Sequence, residues 1–289
     1  MHKVLQSLQL SLLNVGYAHL DKHWNYDNVV SPFTRMYYIS KGSAKVYHND
    51  QTFDLKPGYM YLIPSFTYSR YKCDEYHEQY YISFFEEIKN GLSIFNLKSF
   101  VYELKAKDTD IAYFKRLLEI NPNRALVNDD PEVYDNRPTL QTFKKKNEKL
   151  SSAFYLETNG LLRILLSKFI KDHNRLVIKN TTRNNLSQVL SHISENLDKE
   201  LTINELASYC HLSTDYFSRI FKQKFGMRPN KYIQSKRVER AQLLLLTTDN
   251  SLKQIAEKVG LENLSYFSRV FKSFTGKTPG NFRKEELNV

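Results

Sequence analysis

From Phe33 to Phe85 the apolar residues come in short runs, several of them alternating with polar residues and each bounded by turn formers. Met36 to Ser40, Ala44 to His48, Thr52 to Leu55, Tyr59 to Ile63 and Tyr80 to Phe85 read as strands, and Lys41-Gly42, Asn49-Asp50 and Lys56-Pro57-Gly58 read as the breaks between them. Short strands at this spacing predict a small antiparallel β-barrel or jelly roll. Ahead of them Leu5, Leu8, Leu10, Leu12 and Leu13 fit a strand or a short amphipathic piece, and the pattern does not choose between the two.

Beyond the β-rich stretch the period changes. Ile111, Phe114, Leu117 and Leu118 recur at helical spacing, and Asn121-Pro122-Asn123 ends that helix. Asn128-Asp129-Asp130-Pro131 and Asn136-Arg137-Pro138 mark a loop. A longer helical segment follows from about Leu140 to His173, with Leu161, Leu162, Leu165, Leu166, Phe169 and Ile170 as an apolar stripe and Gly160 as the expected interruption. Asn174 to Asn185 is polar and rich in Asn and Thr, as a linker would be.

The last third contains one pattern twice. Leu186, Val189, Leu190, Ile193 and Leu197 predict a leading helix. Thr202-Ile203-Asn204-Glu205 then has the form of a capping box, a hydroxyl at the N-cap and a carboxylate three residues on, and Ser251-Leu252-Lys253-Gln254 repeats it. Each box opens a short helix, Ile203 to Cys210 and Leu252 to Val259, followed by a tight turn and a second N-cap at Ser213 or Asn263. The second helices read Tyr216-Phe217-Ser218-Arg219-Ile220-Phe221-Lys222 and Tyr266-Phe267-Ser268-Arg269-Val270-Phe271-Lys272, and differ only at Ile220 against Val270. A long helix from Pro229 to Leu246 joins the copies, with Ile233, Arg237, Ala241, Leu244 and Leu245 along one side.

The repeat separates into two faces. Phe217, Ile220 and Phe221, matched by Phe267, Val270 and Phe271, must pack inward. Asp215, Ser218, Arg219 and Lys222, matched by Ser265, Ser268, Arg269 and Lys272, form a polar and basic stripe on the other side. Helix, turn and helix is the arrangement that lays its second helix in the DNA major groove. Arg219 and Arg269 suit guanine O6 and N7 or a phosphate, Ser218 and Ser268 suit base edges, and Lys222 and Lys272 suit phosphates. Thr202 and Ser251, at the N-caps of the first helices, join the phosphate-contacting set. Leu264 or Tyr266 offers apolar contact to a thymine methyl, and Ser265 stands beside them as a base contact. Asp215 has two readings, acceptor from a cytosine amino group or early-turn acid favoured by the helix dipole.

Charge strengthens this picture locally more than globally. The formal net charge is +11 with a pI near 9.3, which favours an anionic partner. Ser213 to Arg240 contains eight basic residues against Asp215 and Glu239, and Asn263 to Lys284 contains five basic residues and no acidic one. Cys73 and Cys210 have no C-x-x-C spacing, and Cys210 occupies an apolar position matched by Val259, so both are expected as reduced thiols of a cytoplasmic protein. No apolar run approaches the roughly 20 residues of a membrane span, and no signal peptide is expected at the N-terminus.

The doubled motif, the linking helix and the terminal Gly276-x-x-Pro279-x-x-Phe282-Arg283 together resemble the DNA-binding domain of AraC/XylS-family regulators over 186–284. Lys41-Gly42 followed by Lys56-Pro57-Gly58-Tyr59-Met60-Tyr61-Leu62-Ile63-Pro64 is similar to the cupin-type sensing domain of the same family. The resemblance implies an α+β chain with a cupin-like antiparallel β-barrel sensor over 1–110, a helical dimerisation or packing segment over 111–173, a linker over 174–185 and an all-α double helix-turn-helix domain over 186–289. It also implies a homodimer that binds double-stranded DNA, answers a small organic effector and activates transcription through RNA polymerase. In that family the two reading helices enter successive major grooves about 34 Å apart.

Resemblance to sugar-sensing members makes Arg35, Tyr68, Arg70 and Tyr81 the expected effector pocket, with Trp24 as a stacking platform. Many cupins hold a metal through an H-x-H pair and a later His. This chain has no H-x-H, and Tyr68 stands where that pattern offers a His, so neither metal nor cofactor is expected. Two rivals follow: a metal-dependent cupin enzyme fused to a DNA-binding domain, and a regulator without a small-molecule effector whose barrel binds a protein partner.

Overall fold

The computed structural model describes residues 5–88, 93–96, 98–130, 137–171, 189–190, 192–193 and 195–285. The expected linker, 174–185, lies outside the described residues. The chain forms two compact units, residues 1–87 with 98–172 and residues 88–97 with 173–288.

In the first unit, β1 (Gln9–Asp21), β3 (Thr34–Gly42), β6 (Tyr59–Ile63), β8 (Tyr76–Glu87) and β10 (Glu103–Lys105) form a five-stranded sheet in the order β1-β8-β3-β6-β10. A second sheet has the order β2-β7-β4-β5, from β2 (Asn25–Val29), β4 (Ala44–His48), β5 (Gln51–Leu55) and β7 (Ser69–Lys72). All ladders are antiparallel. The expected barrel is thus two facing sheets rather than one closed sheet among the described residues, because no ladder joins them. One core binds them: Tyr37, Ile39, Tyr61, Ile63 and Tyr81 of the first sheet pack with Val29, Val46, Leu55 and Tyr71 of the second. Of the ambiguous leucine run, Leu10, Leu12 and Leu13 fall in β1, while Leu5 and Leu8 precede it; the β1 register shifts between Leu12 and Asn14 so that Leu12, Leu13, Asn14 and Val15 are buried in succession. Asn49 and Asp50, both at positive φ, make the two-residue hairpin turn between β4 and β5.

Three helices cover the five-stranded sheet near β1 and β8: α1 (Asp108–Ile120), α2 (Arg137–Glu148) and α3 (Ser152–Lys168). The single long helix expected from Leu140 is therefore two, and the break falls at 149–151 rather than at Gly160. Ser151 explains this, since its hydroxyl caps α3 by accepting from the Phe154 amide at 3.2 Å. Gly160 passes inside α3 with no atom near its missing side chain. The stripe of Leu161, Leu162, Leu165, Leu166 and Phe169 is buried inside the unit. The large apolar residues that α3 leaves exposed are Phe154, Tyr155, Leu156 and Ile164. A two-stranded ladder of β9 (Ser99–Phe100) and β11 (Ile170–Lys171) completes the unit.

The second unit is helical: α4 (Ile203–Tyr209), α5 (Thr214–Phe225), α6 (Pro229–Thr247), α7 (Leu252–Lys258), α8 (Leu264–Thr275) and α9 (Pro279–Glu285). Its apolar residues gather into two cores. The first contains Val189, Ile193, Leu197, Leu206, Phe217, Phe221 and Ile233, and the second contains Val238, Ala241, Leu245, Ile255, Val259, Phe267 and Phe271. Gly226 and Gly276 end α5 and α8 in the left-handed conformation, each returning its amide to the carbonyl of Lys222 or Lys272 at 2.9 Å. Each copy of the repeat is thus a small helical unit with its own core.

Candidate functional site

The inward face of α5 buries Phe217 and Phe221 completely, and α8 does the same with Phe267 and Phe271. That burial fixes the rotation of each helix. Asp215, Arg219 and Lys222 are consequently exposed on α5, as are Ser265, Tyr266, Arg269 and Lys272 on α8, with Ser218 and Ser268 half-buried at the edge of each stripe. Arg219 rests with its guanidinium carbon 5.2 Å from the ring centre of Tyr216, and Arg269 lies 5.9 Å from that of Tyr266. A ring beneath each guanidinium limits the rotamers it samples without neutralising it. The motif therefore offers two matched, solvent-facing cations on two separately packed helices.

The caps behave less uniformly than their sequences. Ser251 makes the full capping box, its hydroxyl accepting from the Gln254 amide at 3.2 Å while Gln254 Oε1 accepts from the Ser251 amide at 2.8 Å. Thr202 accepts from the Glu205 amide at 3.2 Å, but the Glu205 carboxylate turns to His192 at 3.4 Å. Asn263 caps α8 through the Tyr266 amide at 2.9 Å, whereas Ser213 makes no side-chain cap. Thr202 and Ser251 remain exposed at the starts of α4 and α7 with one acceptor role already taken. Tyr266 is also committed elsewhere: its hydroxyl accepts from Gln234 Nε2 of α6 at 2.8 Å. Gln234 carries no composition or spacing signal that would have marked it.

A cavity of about 350 Å³ lies in the first unit, beside the core between the sheets. Alternate rungs of β3 and β8 pair Arg35 with Ser83 and Tyr37 with Tyr81, and these four side chains with Gln79 and Trp24 form one wall. Residues 125–127 and Asp129 close the other side. Arg35 is almost wholly buried, hydrogen-bonded to the Ser31 hydroxyl and 4.9 Å from the Phe33 ring centre. Tyr81 accepts the Leu126 amide on its hydroxyl at 2.7 Å, and burial raises its pKa.

Trp24, Arg35 and Tyr81 thus share this wall, while Tyr68 and Arg70 do not. The alternation in β7 points Ser69 and Tyr71 inward and Arg70 and Lys72 outward, the opposite register from the one that would place Tyr68 and Arg70 in a pocket. Tyr68 is exposed and donates to Asp27 at 2.5 Å, which holds the Asp27 carboxyl below its usual range. Arg70 lies 4.5 Å over the Tyr47 ring on the outer surface. Tyr37, Gln79 and Ser83 are the wall residues that the expected pocket left out, and period-two alternation along β3 and β8 is the signal that connects them to Arg35 and Tyr81.

Among the described residues no group of three His, Cys, Asp or Glu side chains is placed to hold a metal ion. His48 stacks on Phe53 at 4.6 Å, and His77 bonds Gln79 at 3.3 Å. Cys73 and Cys210 are buried and form no disulfide. No described helix is long and apolar enough to cross a membrane.

The family described as a helix-turn-helix domain matches residues 206–285. The chain is 25% identical over 287 residues to the Msm operon regulatory protein of Streptococcus mutans, a span of 98% of this chain and 96% of that one. It is 26% identical over 203 residues to the melibiose operon regulatory protein of Escherichia coli, 67% of this chain and 66% of that one. The C-terminal domain of the two-component response regulator yesN from Fusobacterium nucleatum is 37% identical, with 35% of this chain and 98% of that chain covered and a TM-score of 0.34.

Proposed function

Since the chain belongs to the AraC/XylS family of transcriptional regulators, sequence-specific proteins that bind double-stranded DNA, we propose that α5 and α8 are its two readers and that a small organic effector controls their use. The observation that carries the first part is the stripe duplicated in phase, exposed Arg219 and Lys222 with Ser218 at the edge against exposed Arg269 and Lys272 with Ser268 at the edge, on helices whose Phe217, Phe221, Phe267 and Phe271 are fully buried on the other side. The arginines and serines read base edges, with Asp215, Ser265 and Tyr266 beside them. Lys222 and Lys272 neutralise phosphate, and Thr202 and Ser251 present α4 and α7 to the backbone.

The effector reading rests on the cavity of the first unit. Three aromatic side chains, Trp24, Tyr37 and Tyr81, stand there beside Arg35, Gln79 and Ser83, a combination of stacking surface and hydrogen-bonding groups that suits a polyhydroxylated ligand. The related melibiose operon regulator carries a sugar in its name, so a sugar is our proposed effector class. The two facing sheets are read as the cupin-type sensor of the family. Phe154, Tyr155, Leu156 and Ile164 on α3 are the proposed contact with a second copy, and activation proceeds through RNA polymerase. Two buried thiols suit the cytoplasm.

Footprinting the protein across the genome tests the first part, with paired groove-length segments as the expected result. Trp24, the single tryptophan of the chain, tests the second. Titration with α-galactosides and other sugars is expected to change its fluorescence with saturation. A flat response to every sugar, alongside intact DNA binding, would leave a regulator without a sugar effector.

A further inference from the structure

The two helix-turn-helix units meet at a polar junction that their apolar cores do not supply. Among the described residues the cores have no member in common: the first ends on α6 at Ile233 and the second begins on α6 at Val238. Arg237 sits in the gap. Its Nε donates to the carbonyl of Leu197 at 2.9 Å and its Nη2 to the carbonyl of Lys199 at 2.5 Å, so it holds the segment that leads into the first unit. Gly260, the turn residue of the second unit, comes to the same place. Its φ is +70°, and a Cβ there would lie 2.4 Å from the Leu197 carbonyl oxygen and 3.0 Å from Arg237 Nη2. One turn earlier on α6, Gln234 holds the hydroxyl of Tyr266 on α8.

We infer that Arg237 is a positioning residue for DNA recognition, locking the two helix-turn-helix units so that one protomer accepts a single spacing and phase between the base-pair clusters read by α5 and α8. The inference rests on the reading that both helices enter DNA. Two units joined only by a helix and separate cores would rock about α6, and each orientation would accept a different spacing. The guanidinium removes that freedom by binding two carbonyls of the first unit against a backbone surface of the second, where only glycine leaves room. Arg suits the task because its planar fork donates to both carbonyls at once. Each base pair inserted between the clusters would move the second by about 3.4 Å along the DNA axis, which a locked pair cannot follow.

The test uses the full chain. Spin labels at Gln223→Cys and Ser273→Cys, both exposed, report the distance between α5 and α8 without DNA. The parent is expected to give a narrow distribution, and Arg237→Leu, which keeps the apolar stem and removes the donors, a broadened or shifted one. The DNA arm uses a duplex selected by the parent from a random library, with and without one base pair inserted between the two clusters. The parent is expected to lose at least tenfold in affinity on the insertion, and Arg237→Leu less than threefold. A loss of thermal stability alone would move neither readout. Should Arg237→Leu fail to fold, Gln234→Ala removes one tie at a half-buried position and should broaden the distribution in the same direction. A broad distribution in the parent, or variants as narrow and as spacing-selective as the parent, would overturn the lock. A narrow parent distribution that broadens in the variant, together with selected duplexes that contain only one cluster, would sustain the lock and sink the two-reader interpretation instead.

Discussion

Gly16 and Tyr81 face each other across the ladder of β1 and β8, and a methyl group on Gly16 would fall 2.3 Å from the Tyr81 hydroxyl oxygen and 2.5 Å from Cζ. The missing side chain lets the ring lie against β1 with its hydroxyl on the Leu126 amide. Gly16→Ala should displace the ring and cost about 1–3 kcal/mol in urea unfolding. Tyr81→Ala in the same chain removes the clash, so the double mutant should cost less than the sum of the two. Strict additivity would show that β1 yields instead.

Arg269→Ala and Lys272→Ala should fail differently. If Arg269 reads a base, its loss should weaken specific binding by about 1–3 kcal/mol and relax preference at one position. Lys272→Ala should lower affinity on every sequence and reduce the salt slope by about one unit. Titrations of a selected and a scrambled duplex at several salt concentrations separate the two. An Arg269→Ala protein that binds its selected site as tightly as the parent would mean the wrong helix face has been assigned.

Asp215 against Ser265 makes the two proposed readers unequal, and the site within one protomer's footprint should be asymmetric. Asp215→Ser tests which role the carboxylate has. If it accepts from a cytosine amino group, preference at one base pair of the α5 segment should fall by about 1–3 kcal/mol while the α8 segment is unchanged. If it acts only on the helix dipole, stability should drop by about 0.3–1 kcal/mol with no change of preference. Selection from random duplexes and a thermal melt provide the two readouts.

Burial pushes the pKa of His48 and of His77 down to about 4. Each imidazole therefore takes up its proton in the unfolded chain before it does so in the folded one. Their contribution is complete above the ordinary histidine value of about 6.5 and is lost as pH falls from there towards 4. At pH 5 each should lower stability by about 1–2 kcal/mol relative to pH 7. Urea midpoints at the two pH values should fall accordingly, and His48→Phe, which keeps a ring on Phe53, should fall less. An equal fall in the variant would assign the acid sensitivity to carboxylates.

The helical half was legible in the residues alone. Its apolar positions recur every three to four residues over runs long enough to fix each helix, and duplication supplies a second reading of every assignment, so the buried phenylalanines and the exposed Ser, Arg and Lys separate on local grounds. The strands from Ala44 to Ile63 were legible for a similar reason, bounded as they are by turn residues. Which face of a strand meets the core is set by its register with strands far away in the chain, and a shift of one residue reverses every side chain. That is why Tyr68 and Arg70 point to solvent while Tyr37, Gln79 and Ser83 reach the cavity. The same limit hid the junction of the two helical units: Arg237 stands on the apolar side of its helix in the sequence, but its partners are the carbonyls of Leu197 and Lys199, at a place where Gly260 leaves room by lacking a Cβ. Backbone groups carry no sequence signal for who will bind them, so what that arginine holds is set by packing between segments far apart in the chain.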